Sequence, residues 1–484
     1  MTAPTGLLTA RVERLLRAPR ASVTLDSWAD PELVFLELSA TSPLAYWLDA
    51  GPDAETGWSH IGDVGDADGL VARSEPDRAI VTLVRPITGE REESSRSFLE
   101  LVTSGTDGLA ADGDGPVALR WAGWLGYETG ANLAGIEHAP VGTADSVMMH
   151  APRQIAFDHA RRRIHVSSLQ GDPREERWLL EVVTAIMALV GRTAPEPPTA
   201  PAVASVRARH SPAEYRRMIE RCQELIADGE AYQLCLTNRF ETTTDESPLS
   251  VYRRLRRRNP TRHGAFIRDG EQVLLSSSPE VFLSVTATGE ITTRPIKGTR
   301  RRGADAAEDA ALRAELRGDE KELAENLMIV DLMRNDLAEV SELGSVAVRS
   351  LFDVEEHPNV FQLVSTIVGQ LRGDRALGDL LARSFPAGSM TGAPKLAAMR
   401  ILHDLERGPR GAYAGANGYI AADGSARLAM TIRSLVFHGA RVTIGAGGGI
   451  TALSRADAEI DEVFTKSAPL LAALGAGSAA VAGR

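Results

Sequence analysis

Several short stretches carry side chains whose types and spacing suit chemistry. In RPIKGTRRR, Lys297 stands between Arg294 and Arg300. Neighbouring cations and desolvation pull a lysine below its usual pKa of about 10.4, and a neutral amine is a nucleophile. An arginine stays charged and could not take that role. SSSPE supplies Glu280 one hairpin away, a candidate general acid. In the last predicted helix Glu459, Glu462 and Lys466 are spaced i, i+3, i+7 and share one face. That spacing suits a solvated Glu–Lys pair as well as a site. The helix follows IGAGGGIT, where Gly447, Gly448 and Gly449 let backbone N–H groups converge on an anion or simply make a tight turn. ENLMIVDLMRNDL carries Glu325, Asp331, Arg334, Asn335 and Asp336 beside an apolar run. Carboxylates from two helices are what a hard divalent ion such as Mg²⁺ needs, and a buried salt-bridge network is the competing explanation. SFPAGSMTGAPK puts the Ser389 and Thr391 hydroxyls at a helix mouth, which suits an anion or ordinary N-capping by Thr391. Arg433 in TIRSL could grip a carboxylate bidentately.

Only four of the 53 basic residues are lysines: Lys297, Lys321, Lys395 and Lys466. In a chain that uses arginine wherever a bare charge suffices, surviving lysines mark places where a guanidinium cannot substitute. Chance survival is the competing reading for any one of them, but three fall inside these segments and Lys321 lies four residues before one.

The elements that must position these groups are legible in outline. RTAPEPPTAPAVASV, residues 192–206, reads as a semi-rigid Pro/Ala connector. It divides the chain into an N-terminal α+β region (1–191) and a catalytic region (207–474), with a small-residue tail (475–484). Before the connector, VALRWAGWLGYE and the stretch Leu33 to Leu38 are expected strands, and QIAFDHARRRIHVSS a hairpin around Arg161. After it, Ser211-Pro-Ala-Glu214 is a capping box that opens a helix ended by Gly229. AYQLCLTNRF, QVLLSSS and VFLSVTATGEITTRPIKGT are expected strands, the last turning at Thr288-Gly289. Helices are expected over Lys321 to Asp336, Pro394 to about Leu405 and Ala456 to Leu471. GYIAADGSARLAMTIRSLVFHGARVTIGAGGG reads as a strand meander turning at Asp423-Gly424. Strands in runs with helices between favour an α+β fold.

With 484 residues, 43 % hydrophobic, the chain has material for a sizeable core in two to four units at about 150 residues each. A net charge of −12 argues against nucleic acid or an anionic membrane as partner. No run of about 18 apolar residues and no secretion-type leader stand out, so a cytoplasmic location is expected. Two cysteines, Cys222 and Cys235, provide neither a disulfide framework nor a cysteine metal site.

GWLGYE, AYQLCL, SSSPE, RPIKGT, AENLMIVDLMRND, FQLVS, FPAGSMTGAPK, RGAYAGANGY, TIR and AGGGIT followed by E..E...K together resemble the chorismate-utilising family. They cover about residues 210–470 densely and the earlier part thinly. The resemblance implies antiparallel sheets packed together and flanked by helices. Lys297 in PIKGT, Asn326, Met333 and the S-x-T of Ser389 and Thr391 match the aminodeoxychorismate synthase branch, which aminates C4 of chorismate without pyruvate elimination. In that branch the resemblance implies Mg²⁺ held by Glu325 and Glu462 with Glu459 nearby, Lys297 adding at C2, and Glu280 protonating the departing hydroxide. It implies Thr391, Gly392, the Gly447–Gly449 cluster and Lys466 around the ring carboxylate, and Arg433 with Tyr413 on the enolpyruvyl carboxylate. Isochorismate-type members carry a water-activating lysine where this chain has Gln233, so water is not the expected nucleophile. Gln362 replaces the family's usual histidine and fits retention of the enolpyruvyl group. Leu453-Ser454-Arg455-Ala456 replaces the usual DSDP before the last helix. The chain lacks a Gly-x-Cys-x-Gly glutaminase signature, so nitrogen is expected as ammonia, free or from a separate glutamine amidotransferase. The alternatives are an anthranilate or 2-amino-2-deoxyisochorismate synthase subunit, against which Lys297 argues, and a non-catalytic aromatic-carboxylate-binding protein.

Overall fold

A computed structural model describes residues 16, 18–64, 69–105, 118–201, 205–357 and 360–477. The leader reading and most of the expected tail therefore lie outside the described residues. Among the described residues the strands form two twelve-stranded sheets, and every ladder is antiparallel. Both sheets are shared by the chain before and after the 192–206 segment. In the first, Leu44–Asp49 pairs with His263–Asp269; in the second, Leu119–Leu125 pairs with Ala416–Ala421. The segment itself crosses the helix Pro248–Arg258, where Arg254 donates to the Pro198 carbonyl at 2.8 Å.

Strand alternation explains the layering. Tyr46 and Leu48 point into a core between the sheets, whereas Ala45 and Trp47 join a second core under helices, with Trp47 stacked on Phe35. In the other sheet Ala122 and Trp124 face inward, while Trp121 and Leu125 face the helices on the outside. Strands buried on both faces read as continuous apolar runs, as in LAYWL and LRWAGWL. The result is helix, sheet, sheet, helix, the α+β arrangement expected.

The capping box is present, with Ser211 and Glu214 serving each other's backbone. The expected helices run Glu320–Ala338, Lys395–Glu406 and Ala456–Ala473. Three expectations are corrected. Leu33 to Leu38 is helical, within Pro31–Leu38, because Asp30 caps the Glu32 N–H at 2.8 Å and Pro31 presets the first turn. Thr391 does not cap the helix after it; Pro394 holds the N-cap position. The meander is two hairpins in different sheets: Ala416–Ala421 with Ala426–Met430, and Ser434–His438 with Arg441–Ile450.

Candidate active site

Those sheet changes place the reactive groups. The strand Gln272–Ser278 belongs to the first sheet and Val281–Val285 to the second, so the chain crosses at Pro279-Glu280. It crosses back between Met430 and Ser434. The two crossings lie side by side: the Met430 N–H donates to the Glu280 carbonyl at 3.0 Å and the Ser277 N–H to the Arg433 carbonyl at 3.1 Å. Arg433 takes a φ of +51° at this corner, a left-handed conformation that costs a non-glycine residue about 1 kcal/mol or more and marks functional positions. Lys297 is the second residue of the strand Ile296–Arg301 at the rim of the second sheet.

Glu280 is buried, and accepts hydrogen bonds from the Ser389 hydroxyl and the Ile296 N–H. Burial lifts its pKa to about 7 against the pull of Lys297 and Lys466. For Lys297 the expected direction is reversed. Burial lowers its pKa, but Glu325, Cys235, Glu280 and Glu462 outweigh that and leave it raised. The flanking guanidiniums look elsewhere: Arg294 pairs with Glu355, and Arg300 with Glu315 at 2.9 Å and Asp319 at 2.7 Å.

The glycine cluster is part of a ladder rather than an open nest. Gly447, Gly448 and Gly449 stand opposite Thr237, Leu236 and Cys235 on the strand Gln233–Thr243. A Cβ at 447 would strike the Leu236 carbonyl and one at 449 the Gln233 amide, so both glycines permit close approach. At 448 a Cβ would lie 3.0 Å from Glu459 Oε2 and 4.0 Å from Glu462 Oε1, so that face opens on the two carboxylates. Lys466 donates to the Gly447 carbonyl at 2.8 Å and pairs with Glu462 at 2.6 Å. Arg433 donates to the Lys466 carbonyl at 3.4 Å, and Tyr413 seats its ring on Gly445. Gly392 pairs with Leu234 on the same strand; the Thr391 hydroxyl donates to the Ala387 carbonyl at 3.2 Å instead of facing a helix mouth. Gln233 keeps its buried Oε1 without a partner beside Gly449. Gln362 is buried opposite Thr299 and Glu355.

In ENLMIVDLMRND both readings hold, for different residues. Asp336 pairs with Lys395 at 2.6 Å, Asn326 accepts from Ser365 at 2.6 Å, and Arg334 pairs with Asp331 on the surface. Glu325 turns toward Lys297 and leaves its buried Oε1 without a hydrogen-bond donor. Among the described residues no three carboxylates, histidines or cysteines gather closely enough to cage a metal. An open carboxylate oxygen on Glu325 and a second carboxylate on Glu462 fit Mg²⁺ nonetheless, because this ion commonly takes one or two protein carboxylates and completes its shell with water and substrate oxygens. Glu459 is already engaged, by Lys321 at 2.9 Å and the Ser454 hydroxyl at 2.8 Å. At the altered helix start Arg455 offers no side-chain cap, and the Ser454 hydroxyl serves the Glu459 carboxylate instead.

Sequence reading missed two contributors. Lys321 counted only as one of four lysines, which was the available signal. The second is the buried pair Arg410–Glu406, at 2.7 Å, which also ties Cys235 and Met390 into the wall of the site; Arg410 opens RGAYAGANGY, where nothing local signals a buried partner.

The model of the chorismate binding enzyme family matches residues 70–472, and the chain belongs to that family. It is 40 % identical over 453 residues to the aminodeoxychorismate synthase of Streptomyces griseus, covering 91 % of this chain and 62 % of that protein. Its likeness to the Streptomyces pristinaespiralis aminodeoxychorismate synthase is 38 %, covering 92 % and 64 %. The chain thus spans less than two thirds of these two relatives. Anthranilate synthase component 1 of Streptomyces coelicolor is 36 % identical, covering 91 % of this chain and 88 % of that one. Among solved structures, anthranilate synthase component I of Streptococcus pneumoniae TIGR4 superposes with a TM-score of 0.75 at 28 % identity, over 86 % of this chain and 93 % of its own.

Proposed function

We propose that this chain is the chorismate-aminating unit of an aminodeoxychorismate synthase, converting chorismate and ammonia to 4-amino-4-deoxychorismate with the enolpyruvyl group retained. One observation carries the reading: a lysine, Lys297, shares a pocket with a buried acid, Glu280, whose pKa sits near neutrality. Transfer of a proton from the Lys297 ammonium to the Glu280 carboxylate makes both partners reactive at once. The neutral amine adds at C2, the ring double bonds shift, and the C4 hydroxyl leaves as water with the Glu280 proton. Ammonia then bonds to C4, the double bonds shift back, and the Lys297 amine is expelled from C2. Glu325 and Glu462 would hold Mg²⁺, which supplies positive charge for the ring carboxylate and offsets carboxylates that otherwise keep Lys297 protonated. Lys466 and the Gly447–Gly449 strand line the ring-carboxylate end, and Arg433 with Tyr413 the enolpyruvyl end. Nitrogen would arrive as ammonia, free or released by a glutamine amidotransferase.

Incubated with chorismate, Mg²⁺ and ammonium, the protein is expected to yield a species one mass unit below chorismate, without pyruvate. An aminodeoxychorismate lyase should convert it to p-aminobenzoate. Fluorescent anthranilate with released pyruvate would overturn the branch assignment.

A pH profile tests the acid. The proton transfer starts from Glu280 as the carboxylate and Lys297 as the ammonium, so kcat is expected to fall as pH drops below about 7, where Glu280 is already protonated and cannot relieve Lys297 of its proton. Glu280→Gln should lose roughly 10²–10⁴-fold in kcat and abolish that limb. A profile unchanged in the variant would remove Glu280 from the proton chemistry.

A further inference from the structure

Lys321 lies where the acidic groups converge, and nothing in the proposed reaction uses it. Its ammonium donates to Glu459 Oε1 at 2.9 Å and reaches Glu325 Oε1 at 3.5 Å. The two links differ in kind. Glu459 is 2 % exposed, and the same oxygen also accepts from the Ser454 hydroxyl, so this link is anchored from two sides. The reach to Glu325 is an ion-pair distance without hydrogen-bond geometry, which leaves that oxygen open to another cation. Glu462 has its own ammonium, Lys466.

We infer that Lys321 is a tethered counter-cation, a positioning residue that neutralises Glu325 and Glu459 before metal arrives, keeps Glu459, and gives up Glu325 when a divalent ion enters. The inference rests on the Mg²⁺ assignment to Glu325 and Glu462. Two physical consequences follow. An entering ion must displace the ammonium from Glu325, so the apparent affinity falls by the fraction of time that oxygen is free. The ammonium also stays within a few ångströms of the bound ion and repels it. Lys321 therefore weakens metal binding, the opposite of what a purely structural prop would do.

The test is Mn²⁺ binding read by the loss of the free-ion paramagnetic resonance signal, with chorismate present and ammonium absent. Lys321→Met and Lys321→Gln remove the charge, and whichever folds can be used; Lys321→Arg keeps it. The neutral variants are expected to bind Mn²⁺ about tenfold more tightly than the natural protein, and the arginine variant no more tightly. Unchanged or weaker binding in the neutral variants, beside normal binding in the natural protein, would overturn the inference alone. No Mn²⁺ binding by any of the chains would overturn the metal assignment, and the inference with it.

Discussion

Replacing Lys297 by alanine is expected to lower C4 amination by on the order of 10³-fold or more, because it removes the group that would carry the substrate between the two substitutions. Rate alone does not establish a covalent role, since Lys297 also supplies charge beside Glu280, Glu325 and Glu462. The decisive observation is an intact-mass spectrum of protein mixed with chorismate and Mg²⁺ but no ammonium. The natural chain should gain the mass of chorismate less one water, the balance for an amine that bonds at C2 while the C4 hydroxyl departs protonated. Lys297→Ala should show no such gain. Lys297→Arg should fail as well, since a guanidinium keeps the charge but is not deprotonated in a protein. An arginine variant that aminates C4 at near the natural rate would reduce Lys297 to a point charge.

Much of this site was legible because its residues sit in short, distinctive stretches. Glu280, Lys297, Glu325 and Glu462 were each named from their local context, and the chain does bring them together. What could not be read was the environment. The arginines beside Lys297 in sequence suggested a lowered pKa, whereas carboxylates from distant elements decide the outcome. Likewise the continuous strand signal from Tyr419 to Gly449 hid the change of sheet at Thr431–Arg433, because local pattern specifies extended backbone but not which ladder it joins. That crossing, with its twin at Pro279-Glu280, matters more to the chemistry than any single strand. It sets Glu280 and Arg433 at the seam where both sheets can contribute. The helix Pro31–Leu38 was missed for a simpler reason: a six-residue apolar run has no readable period, and its Asp-Pro start signal lay just upstream.

The seam needs a clamp, and Arg410 has the geometry of one, which leads to the second large effect. Its guanidinium is buried, chelates Glu406 at 2.8 and 2.7 Å, and donates to the Met390 carbonyl at 2.6 Å and the Cys235 carbonyl at 2.9 Å. Its Cζ lies 4.4 Å from the centroid of the Tyr127 ring, while the Arg410 backbone N–H donates to Glu128 at 2.7 Å. Glu406 in turn accepts from the Thr237 N–H at 2.9 Å. One side chain thus joins the Gln233–Thr243 strand, the turn before Thr391 and the first half of the chain. Arg410→Met is expected to destabilise the protein by about 3–5 kcal/mol, since it strands the Glu406 carboxylate in a buried position. Adding Glu406→Gln should recover part of that loss, because the charge disappears with its partner, so the two changes should couple by at least about 1 kcal/mol in a denaturation cycle. In any folded fraction, the substrate KM should rise more than kcat falls: Cys235 and Met390 shape the wall of the pocket, while Lys297 and Glu280 remain in place. An Arg410→Met protein within about 1 kcal/mol of the natural one would show that the wall is held by its sheet ladder alone, and that this arginine only fills space.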